Sequence, residues 1–149
     1  MKIALGCDHA GFCLKNSVVD FLRSRNIEIL DLGAYEYDST DSYVDPALRV
    51  GGAISDETAQ AGILMCGTGY GISIAANKVK GIRCGIGYND EVTGLLRMHN
   101  NANMVAFAGR FMATEDVLKR VDIFLSTGFM GDKHLRRVNE IADIEKRDN

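Results

Sequence analysis

Short apolar runs alternate with longer amphipathic stretches along the whole chain, and that alternation restricts the fold more than any other feature. Residues 2–6 (KIALG), 27–32 (IEILDL), 62–65 (GILM), 82–86 (IRCGI) and 103–108 (NMVAFA) read as strands. Residues 11–25, a stretch following Pro46, and residues 72–78, 89–98, 114–125 and 134–147 read as helices. In the first of these, Phe12, Leu14, Val18, Val19, Phe21 and Leu22 recur near helical spacing, whereas Gly51 and Gly52 weaken the second. Strands alternating with helices build βαβ units, hence a parallel sheet covered on both faces. The expectation is an α/β chain, a three-layer α/β/α domain with a five-stranded parallel sheet. The pattern leaves the strand order open.

The chain has 149 residues, enough for one domain spanning 1–149 with a sizeable core. Its 46% hydrophobic and 25% charged residues exclude a disordered chain, and a single proline, Pro46, argues against linkers. A net charge of −3 without any basic run argues against nucleic-acid partners, and no apolar stretch is long enough for a membrane span. Cys7, Cys13, Cys66 and Cys84 have neither disulfide-framework nor zinc-ribbon spacing. The opening residues read as a strand and not as a signal peptide. These features point to free thiols, no metal and a cytoplasmic location.

In open α/β sheets, ligands bind beyond the carboxyl ends of the strands. Those ends carry chemistry here. Cys66 closes the third strand before Gly67-Thr68-Gly69-Tyr70-Gly71 and a helix. Glycines let backbone N–H groups turn toward a ligand, and a helix N-terminus favours an anion and a thiolate. The plain alternative is a buried thiol followed by a turn. The loop is one residue short of a dinucleotide fingerprint, and no Gly-Lys-Ser/Thr follows to make a P-loop. Asp8 and His9, before Gly11, close the first strand and suit sugar hydroxyls or a phosphate; Asp8 can equally cap the next helix. His99, followed by Asn100, Asn101 and Asn103, suits general acid/base work or a polar turn. Lys133, His134, Arg136 and Arg137 open the last helix, where cations oppose the dipole unless an anion is near. Arg110, past the fifth strand, is a further candidate cation.

Taken together, these blocks resemble the type B ribose-5-phosphate isomerase family and its galactose-6-phosphate and allose-6-phosphate relatives. The resemblance rests on Gly6-Cys7-Asp8-His9-Ala10-Gly11, on Cys66 through Lys78, on Gly81-Ile82-Arg83, on His99 through Asn103, on Gly109-Arg110 and on His134 with Arg137. It implies a Rossmann-like domain in a homodimer or tetramer with active sites between subunits. It also implies isomerisation of an aldose phosphate to a ketose phosphate without a cofactor, most simply ribose 5-phosphate to ribulose 5-phosphate in pentose phosphate metabolism. By the same resemblance, Cys66 is the base, His99 opens the sugar ring, Asp8 binds hydroxyls and Thr68 sits beside the reacting oxygens. The N–H groups of Gly67, Gly69, Tyr70 and Gly71 stabilise the enediolate. His9, His134 and Arg137, with Lys133, hold the phosphate. Asn100 and Arg110 reach into the partner's site, and Tyr43 lines the sugar. Tyr43-Val44-Asp45-Pro46 departs from the family's Tyr-Pro-Asp/His-Tyr, and Lys133 stands where an arginine is usual. Both departures bear on sugar preference, so another sugar phosphate stays open as substrate. A non-catalytic sugar-phosphate binder and a thiol redox sensor are the rival classes.

Overall fold

The computed structural model describes residues 1–147. Five strands, β1 (Lys2–Cys7), β2 (Glu28–Asp31), β3 (Ala61–Cys66), β4 (Cys84–Ile86) and β5 (Met104–Ala108), form one parallel sheet in the order β2-β1-β3-β5-β4. Six helices accompany them: α1 (Phe12–Ser24), α2 (Val44–Ser55), α3 (Tyr70–Ala76), α4 (Asp90–Asn100), α5 (Thr114–Ser126) and α6 (Lys133–Arg147). The expected three-layer α/β/α architecture is what the chain adopts.

Side-chain parity along the strands divides the core into two. Ile3, Leu5, Cys7, Ile63, Met65, Val105 and Phe107 face a layer that contains α1 and α5. Ala4, Leu64, Cys66, Met104 and Ala106 face the layer of α2 and α3. Burial of the aliphatic side chains in each layer contributes roughly 1.5–3 kcal/mol apiece before conformational entropy is set against it. One charge lies inside the first layer. Lys15 is 1% exposed, and its Nζ donates to both Asp31 carboxylate oxygens (2.7 and 2.9 Å) and to the Ala34 carbonyl (2.7 Å). That fork ties α1 to the chain leaving β2.

Two helices differ in extent from expectation. Pro46 does not precede α2 but lies in its first turn, where a missing N–H costs nothing. Gly51 is tolerated in that helix because the space a Cβ would take is filled by Val79, 3.0 Å away. Helix α4 runs on to Asn100, so His99 and Asn100 belong to its last turn; Asn101, left-handed at φ +46°, ends it.

The strand order supplies what the sequence pattern could not. From β1 the chain passes to β2 on one side, then returns to place β3 on the other. That reversal opens a crevice beyond the carboxyl ends of β1 and β3, the place where doubly wound sheets bind ligands. Asp8-His9 and the Cys66 loop are the two segments that emerge there.

Candidate active site

Three loops meet at this crevice because glycine lets them. A Cβ on Gly11 would lie 2.4 Å from the Met65 carbonyl oxygen, and one on Gly109 would lie 2.5 Å from that of Ala10. Backbone bonds stitch the loops together: Asp8 N–H to Met65 O (3.2 Å), Gly109 N–H to Cys66 O (2.8 Å) and Arg110 N–H to Gly67 O (3.1 Å). The Arg110 side chain lies over Gly67 of its own chain, with Nη1 3.3 Å from where a Cβ would stand. Tyr43 lies against Gly71 in the same way, its ring 2.5 Å from that Cβ position. Exposed Thr68 and Tyr70 stand at the rim.

Cys66 is 3% exposed at the end of β3, and the Gly69 N–H donates to its Sγ at 3.1 Å. Gly69 holds φ +79°, a conformation most side chains resist, and this turns its amide back toward the sulfur. Among the described residues, the N–H groups of Gly67 and Thr68 find no intramolecular acceptor, while Tyr70 N–H donates to Thr68 Oγ1. Unmet donors beside a sulfur are what an anionic ligand atom requires. The other thiols differ. Burial pushes Cys7 up to about 11 and Cys84 to about 12, so both stay protonated at neutral pH. Cys13 is exposed in the first turn of α1.

Asp8 performs the capping role that its position allowed. Its Oδ1 accepts from Ala10 N–H (2.9 Å) and Gly11 N–H (3.1 Å). Burial nevertheless holds its carboxyl above the usual range, against the pull of those two amides and of His9. His9 has a partner that sequence reasoning missed. Asp41 Oδ1 accepts from the His9 backbone N–H at 3.0 Å and faces Nδ1 at 2.7 Å. A carboxylate there sets Nδ1 as the protonated nitrogen and leaves Nε2 for a ligand. Nothing local distinguishes Asp41 from Asp38 or Asp45 in a polar stretch. The turn that delivers it is closed by Asp38, which accepts from Thr40. Asp8, His9 and Asp41 place ligand atoms within 4.8 Å of one another, as a metal site would, although the Asp8 and Asp41 Oδ1 atoms are already engaged by N–H donors.

The remaining candidates sit elsewhere. Helix α4 leaves the carboxyl end of β4 and returns over 11 residues, about 16 Å, to the amino end of β5. His99 and Asn100 therefore lie at the opposite end of the sheet from Cys66. There His99 stacks on His134, with ring centroids 4.1 Å apart and planes 8° from parallel. His134 is buried. Desolvation, then the neighbouring His99, Lys133 and Arg137, press its imidazole below the usual value. Lys133 and Arg137 are exposed beside it on α6. Among the described residues, no hydrogen bond, ion pair or ring contact joins this cluster to the Cys66 loop.

A groove of about 930 Å³ links the two ends, running along the edge strand β4 from Thr68, Tyr70 and Phe111 down to Leu96 and Asn100. Its mouth is rimmed by aromatic side chains, Tyr70, Tyr88 and Phe111, each at least 60% exposed.

Comparison with known proteins agrees with this geometry along the whole chain. Residues 3–141 match the family model described as Ribose/Galactose Isomerase. Ribose-5-phosphate isomerase B of Escherichia coli is 42% identical over 148 residues, covering 99% of both chains. The solved structure of ribose-5-phosphate isomerase B from Clostridium thermocellum superposes over all of both chains with a TM-score of 0.97 at 40% identity. That of the Mycoplasma genitalium enzyme with bound ribulose-5-phosphate covers 97% of this chain and 96% of its own, with a TM-score of 0.94 at 36% identity. With a thiol, an acid and an imidazole gathered at the switch crevice of the sheet and relatives matched over their full length, the chain belongs to the ribose/galactose isomerase family.

Proposed function

We propose that this chain is a cofactor-independent aldose–ketose isomerase that interconverts ribose 5-phosphate and ribulose 5-phosphate. The observation that carries this reading is the Cys66 loop: a buried sulfur receiving an amide N–H, with two unmet N–H donors beside it. A base and an oxyanion site side by side are what an enediolate requires. Cys66 takes the C2 proton of the open-chain aldose, and the electron pair moves into a C1–C2 double bond, leaving negative charge on O1. The Gly67 and Thr68 amides receive that charge, a contribution of about 3–4 kcal/mol per donor by analogy with other oxyanion holes. Cys66 returns the proton to C1 while the hydroxyl proton passes from O2 to O1, and the 2-ketose with a C1 hydroxyl results. Asp8 and Tyr43 hold hydroxyls, and the His9–Asp41 pair presents Nε2 to the far end of the sugar. Cys66 must remain a reduced thiol to serve as base, which fits a cytoplasmic enzyme.

The reading includes a second copy of the chain. Ring opening by His99 and phosphate binding by His134, Arg137 and Lys133 require those groups to be near Cys66, and within one chain they lie at the other end of the sheet. A two-fold axis crossing the β4 edge sets the amino end of one sheet beside the carboxyl end of the other. The apolar groove along β4 gives that contact its surface. Asn100 then travels with His99 into the partner's site, while Arg110 stays over its own Gly67.

Two assays test this reading. Purified protein is given ribose 5-phosphate, allose 6-phosphate and galactose 6-phosphate in a coupled assay. Rapid ketose formation from the first is expected. Turnover of another sugar alone would keep the chemistry and make Pro46 and Lys133 the specificity positions; turnover of none would favour a binder. Inactive Cys66→Ala protein and His99→Asn protein, slowed to a few per cent but still measurable, are then mixed and allowed to exchange subunits. Recovery to about a quarter of wild-type activity is expected, since half the dimers are mixed and each holds one intact site. No recovery despite subunit exchange would overturn the shared site.

A further inference from the structure

We infer that Arg83 is the positioning residue that holds His99 and Asn100 at their working angle, an inference that rests on the role proposed for His99. Helix α4 ends without side-chain caps of its own, and its last carbonyls must be met from outside. Arg83, the residue before β4, meets them. Its Nε donates to Asn100 O (3.2 Å) and Asn101 O (3.0 Å), and its Nη2 donates to Asn101 O (2.8 Å). These carbonyls belong to the residues immediately after His99.

The backbone that carries Arg83 is itself fixed. The Arg83 N–H donates to Asn103 Oδ1 (2.9 Å), and Asn103 Nδ2 donates to Gly81 O (2.8 Å). On the far side, Glu145 of α6 accepts the Gly81 N–H through both carboxylate oxygens (2.9 and 3.0 Å). Arg83 thus stands where the start of β4, the end of α4 and the end of α6 converge. The two helices it serves are those that carry the stacked His99 and His134. A second arginine, Arg97, donates to Ala102 O and Thr127 O, which secures the following turn but not the residues beside His99.

Two donor groups in a planar fork, making three hydrogen bonds, set both the distance and the tilt of the helix end, and a cation there complements the helix dipole. An ammonium supplies the charge without the fork. Since a misplacement of about 1 Å can cost a hundredfold in rate, losing the fork reaches the chemistry through His99.

The test is a double-mutant cycle assayed with ribose 5-phosphate: wild type, Arg83→Lys, His99→Asn and the double variant. Arg83→Met is included if thermal unfolding shows that it folds. Arg83→Lys is expected to lower kcat about tenfold and to change KM less than threefold. In the His99→Asn background the same change is expected to cost less than twofold, because the group it positions is gone. An equal loss in both backgrounds would mean that Arg83 supports only the fold, and would overturn the inference, as would wild-type kcat for Arg83→Lys. Full activity of His99→Asn would instead remove the role of His99, and this inference with it, by a result the Arg83 arms cannot produce.

Discussion

The two ends of the sheet solve different problems. At the carboxyl end, the groups that face the crevice are largely backbone: amides turned by glycine, carbonyls pinned by neighbouring strands, and a sulfur seated at the close of β3. At the amino end, the same chain assembles side chains on helix termini, two stacked imidazoles with a lysine and an arginine beside them. The first end is complete in its geometry, and Arg110 is the cation that lies over its glycine loop. The second is rich in cations and, among the described residues, lacks both a base with an oxyanion site and a carboxylate hydrogen-bonded to its imidazoles. Each holds what the other needs, which is why the proposed enzyme uses two copies related by a two-fold axis. A backbone-built site tolerates little movement, whereas a side-chain cluster on helix ends depends on whatever braces those helices.

The sharpest way to break the contrast is to remove the sulfur. Cys66→Ala is expected to lower kcat at least a thousandfold while thermal unfolding changes little, because the loop is held by backbone bonds. A variant retaining a tenth of wild-type activity would move the base elsewhere. Stability is the next lever. Lys15→Met leaves Asp31 without its buried partner while the crevice loops remain tied to β1 by Cys7 and Ala34 backbone bonds. We expect a loss of about 3 kcal/mol by denaturant unfolding, at the low end for a broken buried pair because Asp31 keeps some exposure. A loss below about 1 kcal/mol would show that the fork does not brace β2.

The smallest effect lies at the amino end and depends on pH. His134 has its imidazole pressed below the usual 6.5, so the folded chain binds fewer protons there than the unfolded chain. Its contribution is fully present above pH 6.5 and is lost as pH falls below that value. The unfolding temperature of wild type is expected to drop between pH 7 and 5.5 more steeply than that of His134→Gln. Parallel profiles would assign the acid sensitivity to other groups.

Much of this was legible in the sequence, for reasons that differ by residue. Among the described residues, periodicity exposed the five strands and six helices because short apolar runs and helically spaced apolar residues alternate along the chain. Strand order escaped it because a helix of given length can carry the chain to either neighbour. The Cys66 loop stood out because a thiol and a cluster of glycines follow each other where an apolar run ends and a helix begins. Asp41 did not, since only folding brings it to His9 across an otherwise polar stretch. His99 was read just beyond a helix ending at residue 98 but belongs to the last turn of α4; the sign of this is Asn101, a residue suited to the left-handed close of a helix. Arg83 looked like part of a motif with no task until its side chain was seen on the Asn100 and Asn101 carbonyls that close α4.

The odd–even division of the core carries a lesson about heredity. Cys66 faces one layer and Met65 the other, and Cys66 is paired with Ala108 across the ladder. Deleting a single codon within β3 would not merely shorten a strand. It would exchange the two layers' residues downstream, turn the sulfur into the other layer and put Gly67 where the base belongs. The reading frame of β3 therefore admits replacements but no gaps, and the polar segment between β2 and α2 is held to length in its own way, because it must deliver Asp41 to His9.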